Sequence, residues 1–255
     1  SISGLDAEII RELARKMAGC RTMIAANWSL QRAHRGEQPF WMTLVLGAIL
    51  GQIGLPGGGF GFGYGSMHRV GNPVRAVPSP TMQTGENLVS DYIPVARISD
   101  MLMYPGELLE YNGQQIKYPD IRMIYWCGGN PFHHHQDLNR LVRAWQRPDT
   151  IIVHEPWWNA NARHADIILT IATSLERNDI SASRADRYLF AMQKATEPVG
   201  QSRTDYEIFS ALAERLGYRA EFTEGRKEME WLEHIYNRFR QAAAESFRQA
   251  VGAKV

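Results

Sequence analysis

Three short apolar runs, each followed by turn residues and then by helical spacing, constrain this chain more than any other feature. Ile121–Trp126, Thr150–Val153 and Ala165–Leu169 read as strands. Cys127-Gly128-Gly129-Asn130-Pro131 closes the first, His154-Glu155 closes the second, and Ser174-Leu175-Glu176-Arg177-Asn178-Asp179 follows the third. Leu138, Leu141, Val142 and Trp145 mark one face of a helix between the first two strands. Thr204-Asp205-Tyr206-Glu207 is a capping box, its helix carries Ile208, Phe209, Leu212, Ala213 and Leu216, and Gly217 stops it. Residues 226–249 have the pattern of a last long amphipathic helix. Strands alternating with helices predict an α/β fold: a parallel sheet with helices on both faces, Rossmann-like, expected over residues 93–255.

Residues 1–92 predict a separate helical and irregular segment. Asp6 is placed to cap a helix carrying Ile9, Ile10, Leu13, Ala14 and Met17. Arg21–Ala26 reads as a strand, Asn27-Trp28-Ser29 sits at its end, and Leu30–Glu37 is a polar connection. Pro39 is placed to start a buried helix over 40–54. The apolar stretch Phe40–Leu55 is 16 residues long, short of the roughly 20 that cross a bilayer. Gly54–Gly65 holds seven glycines and predicts a loop without regular structure. Residues 66–90, with Pro73, Pro78 and Pro80, predict a long irregular excursion, of the kind that is functional or packed on a partner.

Composition removes several function classes. Lys plus Arg is 28 against 27 for Asp plus Glu in 255 residues, so nothing suggests the basic excess of a nucleic-acid binder. Apolar residues at 44% and charged residues at 22% are ordinary globular composition, neither disordered nor membrane-spanning. Seven Trp and ten Tyr suggest an aromatic-lined site or a large buried interface. The two cysteines, Cys20 and Cys127, form no CxxC, which argues against a zinc ribbon, an iron–sulfur cluster bound in this chain or a disulfide scaffold. No signal-peptide pattern opens the chain, and Ser1–Asp6 reads as the interior of a longer protein.

The turn at Gly128-Gly129-Asn130-Pro131 has the context of a ligand site. Strand, turn and helix put free backbone N–H groups at a helix start, outside the C-terminal edge of the sheet. Glu155, at the end of the next strand, suits a ribose diol; a capped helix beside a solvent-exposed acid is the alternative. Arg177, past the third strand, suits a phosphate or a base, or a surface ion pair. His133-His134-His135 looks like a metal cluster, but adjacent helical residues point about 100° apart and do not converge on one ion. His154-Glu155-Pro156-Trp157-Trp158 is not HExxH. The Gly-rich loop fits neither GxGxxG nor GK[ST], and it follows a helix rather than a strand.

Seven ordered stretches together resemble the dimethyl sulfoxide reductase family, in its branch of trimethylamine N-oxide, dimethyl sulfoxide and biotin sulfoxide reductases. They are NWSLQRAHRGEQPFWM (27–42), LGQIGLPGGGFGFGYG (50–65), IPVARISDML (93–102), YWCGGNPFHHHQDLNRLVRAW (125–145), VHEPWWNANARHADIIL (153–169), SLERNDI (174–180) and RTDYEIFSALAERLG (203–217). The resemblance implies a molybdenum oxidoreductase that reduces S-oxides or N-oxides by oxygen-atom transfer on a bis(molybdopterin guanine dinucleotide) molybdenum cofactor. It also implies an electron donor such as a cytochrome or reductase, the remaining domains of the same enzyme as partners, and a periplasmic or cytoplasmic site in a bacterium. Carried over position by position, Trp28, Ser29 and Arg32 match cofactor contacts in the first segment, and Asn130, His134, His154, Glu155, Arg177 and Asp205 in the second. No catalytic residue or metal ligand is matched, because the serine that completes the molybdenum coordination in this branch is not recognisable here. The chain therefore looks like an interior fragment, incomplete and inactive alone; a non-catalytic nucleotide-binding or interaction module left from such an enzyme is the alternative. Two departures stand out. Leu169-Thr170-Ile171-Ala172-Thr173 lacks the family's proline, and Ser181–Asp186 is two residues shorter than its usual counterpart.

Overall fold

The structure, a computed structural model, describes residues 2–63, 79–182 and 188–252. It divides into two compact units, residues 1–74 and 75–255. The sequence-based expectation for 66–78, and for the shortened segment at 183–186, lies outside the described residues.

The first unit starts with α1 (Ala7–Gly19), whose first turn is capped as expected: Glu8 N–H donates to Asp6 Oδ1 at 2.7 Å. Next come β1 (Met23–Ala26), a 3₁₀ turn at Trp28–Gln31, α2 (Glu37–Ile49) and β2 (Gly59–Phe62). β1 and β2 pair in parallel from Met23 opposite Gly59 to Ala26 opposite Phe62. Two expectations are corrected here. The Gly-rich stretch is not all loop, because β2 forms inside it. Gly47 of α2 lets the helix lie close on β2: a Cβ there would stand 3.3 Å from the Gly59 carbonyl carbon. Nor is α2 buried. Only Thr43 and Gly47 are covered, while Trp41 (64% exposed) and Ile49 (76%) face outward. A largely apolar helix of 13 residues shields only the stripe that meets the sheet.

The second unit runs irregularly over 79–94, then forms α3 (Ile98–Met103), a hairpin of β3 (Leu108–Tyr111) and β4 (Gln114–Lys117), and β5 (Met123–Cys127). It continues through α4 (Pro131–His134), α5 (Leu138–Ala144), β6 (Thr150–His154), α6 (Ala160–Arg163) and β7 (Ile167–Leu169). A second hairpin, β8 (Asp179–Ala182) and β9 (Leu189–Met192), precedes α7 (Asp205–Leu216), α8 (Arg219–Thr223) and α9 (Glu228–Gly252).

β5, β6 and β7 form a parallel sheet in that order, as the sequence predicts. Alternation along β5 separates the two faces. Ile124 and Trp126 join a core of Leu102, Phe132, Leu141, Ala144, Trp145, Ile151 and Val153, which seats α3 and α5. Tyr125 points the other way and stacks on Phe209 of α7, ring centroids 5.8 Å apart. Helices thus cover both faces. Past β7, the chain that lacks the expected proline is tied to the run into α7: Arg203 N–H donates to Thr170 O and Ala172 N–H to Arg203 O.

Candidate functional site

Strand ends and one helix start build the site of the second unit. β5 ends in Cys127, and Gly128 and Gly129 then adopt φ of +79° and +74°. Only glycine does this at little cost. No atom lies within 4 Å of where either Cβ would stand, so the turn keeps an open backbone face. Asn130 follows and caps α4, its Oδ1 accepting from Phe132 N–H at 3.0 Å.

β6 carries His154 to its end, where the side chain is fully buried. His154 Nδ1 lies 2.6 Å from Asp205 Oδ1, and Nε2 lies 2.8 Å from the Tyr125 hydroxyl. A carboxylate oxygen accepts from Nδ1–H, so in the neutral imidazole Nε2 is the acceptor and the Tyr125 O–H donates to it. Phe209 stands 5.0 Å from the imidazole centroid and packs against both rings. Burial pushes the Tyr125 phenol up, helped by Cys127 and Asp205. Burial also pushes the Cys127 thiol up, again with Asp205 behind it. Both groups therefore stay protonated at neutral pH.

Glu155 is turned inward: its carboxylate is largely covered, and Oε1 accepts from Trp157 N–H at 3.3 Å. Asp205 opens α7, where the helix dipole favours a carboxylate. Thr204 and Glu207 complete the expected capping box, with Glu207 N–H donating to Thr204 Oγ1 and Thr204 N–H to Glu207 Oε2.

Arg177 pairs with Asp179. Its loop is held by Glu176, which accepts from Thr173 N–H at 2.7 Å, Thr173 Oγ1 at 2.9 Å and Val199 N–H at 2.9 Å. These bonds, the Thr173 N–H foremost, hold the Glu176 carboxyl below the usual range. A cavity of about 230 Å³ lies beside this loop, with Arg177, Asp205, Thr204, Met82, Glu228 and Trp231 in its walls. Burial, and then Glu207, push the Glu228 carboxyl up.

Of the residues singled out in this unit, Arg177 and Asp205 share that cavity, and His154 joins them through its bond to Asp205. Asn130 and Glu155 stand at the ends of neighbouring strands. His134 is exposed, its ring centroid 6.3 Å from that of His133, and stays apart from the cluster. No group of three metal-binding side chains occurs among the described residues. Sequence reasoning missed Tyr125, Phe209 and Trp231, which carry only strand and helix signals.

The first unit positions its three candidates on the 3₁₀ turn and its end, just after β1. Trp28 packs against Phe40 and Phe62, with ring centroids 6.3 and 6.5 Å away, and lies so close over Gly63 that a Cβ there would overlap the indole. Ser29 O accepts from Arg32 N–H at 3.0 Å, and both side chains are exposed.

A family model described as molybdopterin oxidoreductase matches residues 3–215, and the chain belongs to that family. Its curated relatives include S-oxide and N-oxide reductases. The chain is 52% identical to biotin sulfoxide reductase from Cereibacter sphaeroides, over 95% of this chain and 33% of the relative. It is 48% identical to the dimethyl sulfoxide/trimethylamine N-oxide reductase of the same organism, over 92% and 30%. It is 44% identical to trimethylamine-N-oxide reductase from Haemophilus influenzae, again over 92% and 30%. The chain thus spans about a third of the length of the curated relatives it matches.

Proposed function

We propose that the chain is the part of a molybdenum S-oxide or N-oxide reductase that holds nucleotide ends of a bis(molybdopterin guanine dinucleotide) cofactor. The observation that carries this reading is the cavity that Arg177 and Asp205 line, with Asp205 bonded to His154 at the C-terminal end of β6 in a parallel sheet, in a member of the molybdopterin oxidoreductase family. When bound, the molybdenum centre supplies the oxygen-atom transfer chemistry.

The chain's own residues bind and orient. The residues present suit a nucleotide. Gly128 and Gly129 leave open space at the end of β5; the expected free N–H groups at the helix start are not there, because Pro131 has none, Phe132 N–H donates to Asn130 Oδ1 and His133 N–H to Asn130 O. Asp205 uses one oxygen for His154 and keeps the other for a base N–H donor. Glu155 keeps one oxygen for a ribose hydroxyl, and Arg177 supplies a positive charge at the cavity. In the first unit, Trp28, Ser29 and Arg32 would serve the other dinucleotide. The physiological partners in this reading are the oxide substrate, an electron donor such as a cytochrome or reductase, and the other domains of the enzyme.

The test is cofactor loading of the complete enzyme. Molybdenum and released GMP per protein are expected to fall in Glu155→Ala and in Arg177→Ala. Wild-type loading in both variants would refute the assignment.

A further inference from the structure

We propose that Tyr125 is a positioning residue for this site: through the His154 imidazole it holds the Asp205 carboxylate in the orientation that receives a nucleotide. The inference rests on the cofactor-site reading above and extends it to a strand residue that the position-by-position resemblance does not match to a cofactor contact.

Three observations carry it. The first is a continuous chain of contacts. The Tyr125 hydroxyl reaches His154 Nε2 at 2.8 Å, and Nδ1 of the same ring reaches Asp205 Oδ1 at 2.6 Å. One side chain on β5 is thereby linked across β6 to the first residue of α7.

The second is burial. The His154 side chain has no exposed surface, so Nε2 has no water to turn to if the phenol O–H is removed. A buried acceptor without a donor is costly, and the ring relieves the cost by turning out of its present plane. That turn disturbs the bond that orients Asp205.

The third is the division of labour at Asp205. Its side chain is half exposed and lines the cavity that also holds Arg177. With Oδ1 occupied by His154, the direction of Oδ2 is set by the plane of the carboxylate. A carboxylate without that anchor rotates freely and must be ordered by the ligand, at the ligand's expense in affinity. Phe209 stacks on Tyr125 and packs on His154, which stiffens the relay.

The competing account is that Tyr125 only packs. Tyr125→Phe separates the two, because the ring and its stacking on Phe209 remain and only the hydroxyl is lost. The measurement uses the 255-residue chain with ¹⁵N-labelled histidine. Wild type is expected to show the Nδ1–H tautomer at His154, and Tyr125→Phe to depart from that pattern at an unchanged melting profile. In calorimetric titration with GMP, Tyr125→Phe is expected to bind about 3- to 10-fold more weakly, the size of one lost hydrogen bond. The loss is expected to disappear when the same change is made in an Asp205→Ala background, since the imidazole then has no side chain to orient.

An identical ¹⁵N pattern in wild type and Tyr125→Phe would overturn the role of the hydroxyl. So would equal GMP affinity, or a loss that persists unchanged in Asp205→Ala. Failure of wild type to bind GMP at all would instead bring down the cofactor-site reading, and the role of Tyr125 toward it with it.

Discussion

Asp205 answers to two partners, and that sets what its removal does. Asp205→Ala deletes the acceptor of a fully buried imidazole as well as a cavity wall. It is expected to lower both melting temperature and GMP affinity, whereas Arg177→Ala, whose partner is the half-buried Asp179 at the start of β8, lowers affinity with a smaller change in melting. For Glu155→Ala, the ribose hydrogen bonds at stake are worth about 1.5–3 kcal/mol if charge-assisted. Calorimetry on the single variants reads all three. Gly63→Ala makes a separate prediction in the first unit. The new Cβ would overlap the indole of Trp28, so that side chain must move, and its fluorescence in a variant retaining Trp28 as the only tryptophan of the unit should shift. Asn130, Glu155 and Arg177 were legible because each is a polar residue following a strand. Tyr125 and Phe209 were not, because an aromatic inside a strand or a helix reads as core until a polar atom is seen at the end of the ring.

Capping decides whether the elements that carry these residues stay in place. The capping box of α7 puts Asp205 one residue after Thr204, and Thr204→Ala is expected to cost about 1 kcal/mol in thermal or denaturant unfolding. Glu176 makes the Arg177 loop sensitive to acid. Its carboxyl is held below the ordinary range, so its contribution is fully present at neutral pH and is lost as pH falls through that depressed value. Glu176→Gln should therefore lower stability at neutral pH and flatten its fall on acidification, as a melting series across pH would record. The parallel strands β5, β6 and β7 and the helix α7 were readable from apolar runs and caps. The β3–β4 hairpin carries an equally clear turn signal, Asn112-Gly113 with φ of +50° and +76°, but its short flanking runs, LLEY and QQIK, lack the regular apolar–polar alternation that marks a strand. β2 was hidden for the opposite reason. Its strand character comes from pairing with β1 under α2, and nothing local in a glycine-rich run announces it.

Across the whole molecule, apolar surface and the nucleotide site give different signals. α1 and α2 leave Ile9, Leu13, Trp41, Met42 and Ile49 exposed within the first unit. Clustered exposed apolar residues favour association. Trp41→Lys with Ile49→Lys is expected to shift the 255-residue chain toward monomer in sedimentation, leaving nucleotide binding in the second unit unchanged. No helix among the described residues is long and apolar enough to cross a membrane. The central claim is that the second unit holds a guanine nucleotide at the C-terminal edge of its parallel sheet. Calorimetric titration of GMP into the 255-residue chain tests it most directly. The account predicts saturable binding at micromolar affinity or weaker, about −8 kcal/mol at the tight end, reduced in both Arg177→Ala and Asp205→Ala. No heat of binding in wild type, or binding that neither substitution changes, would contradict it.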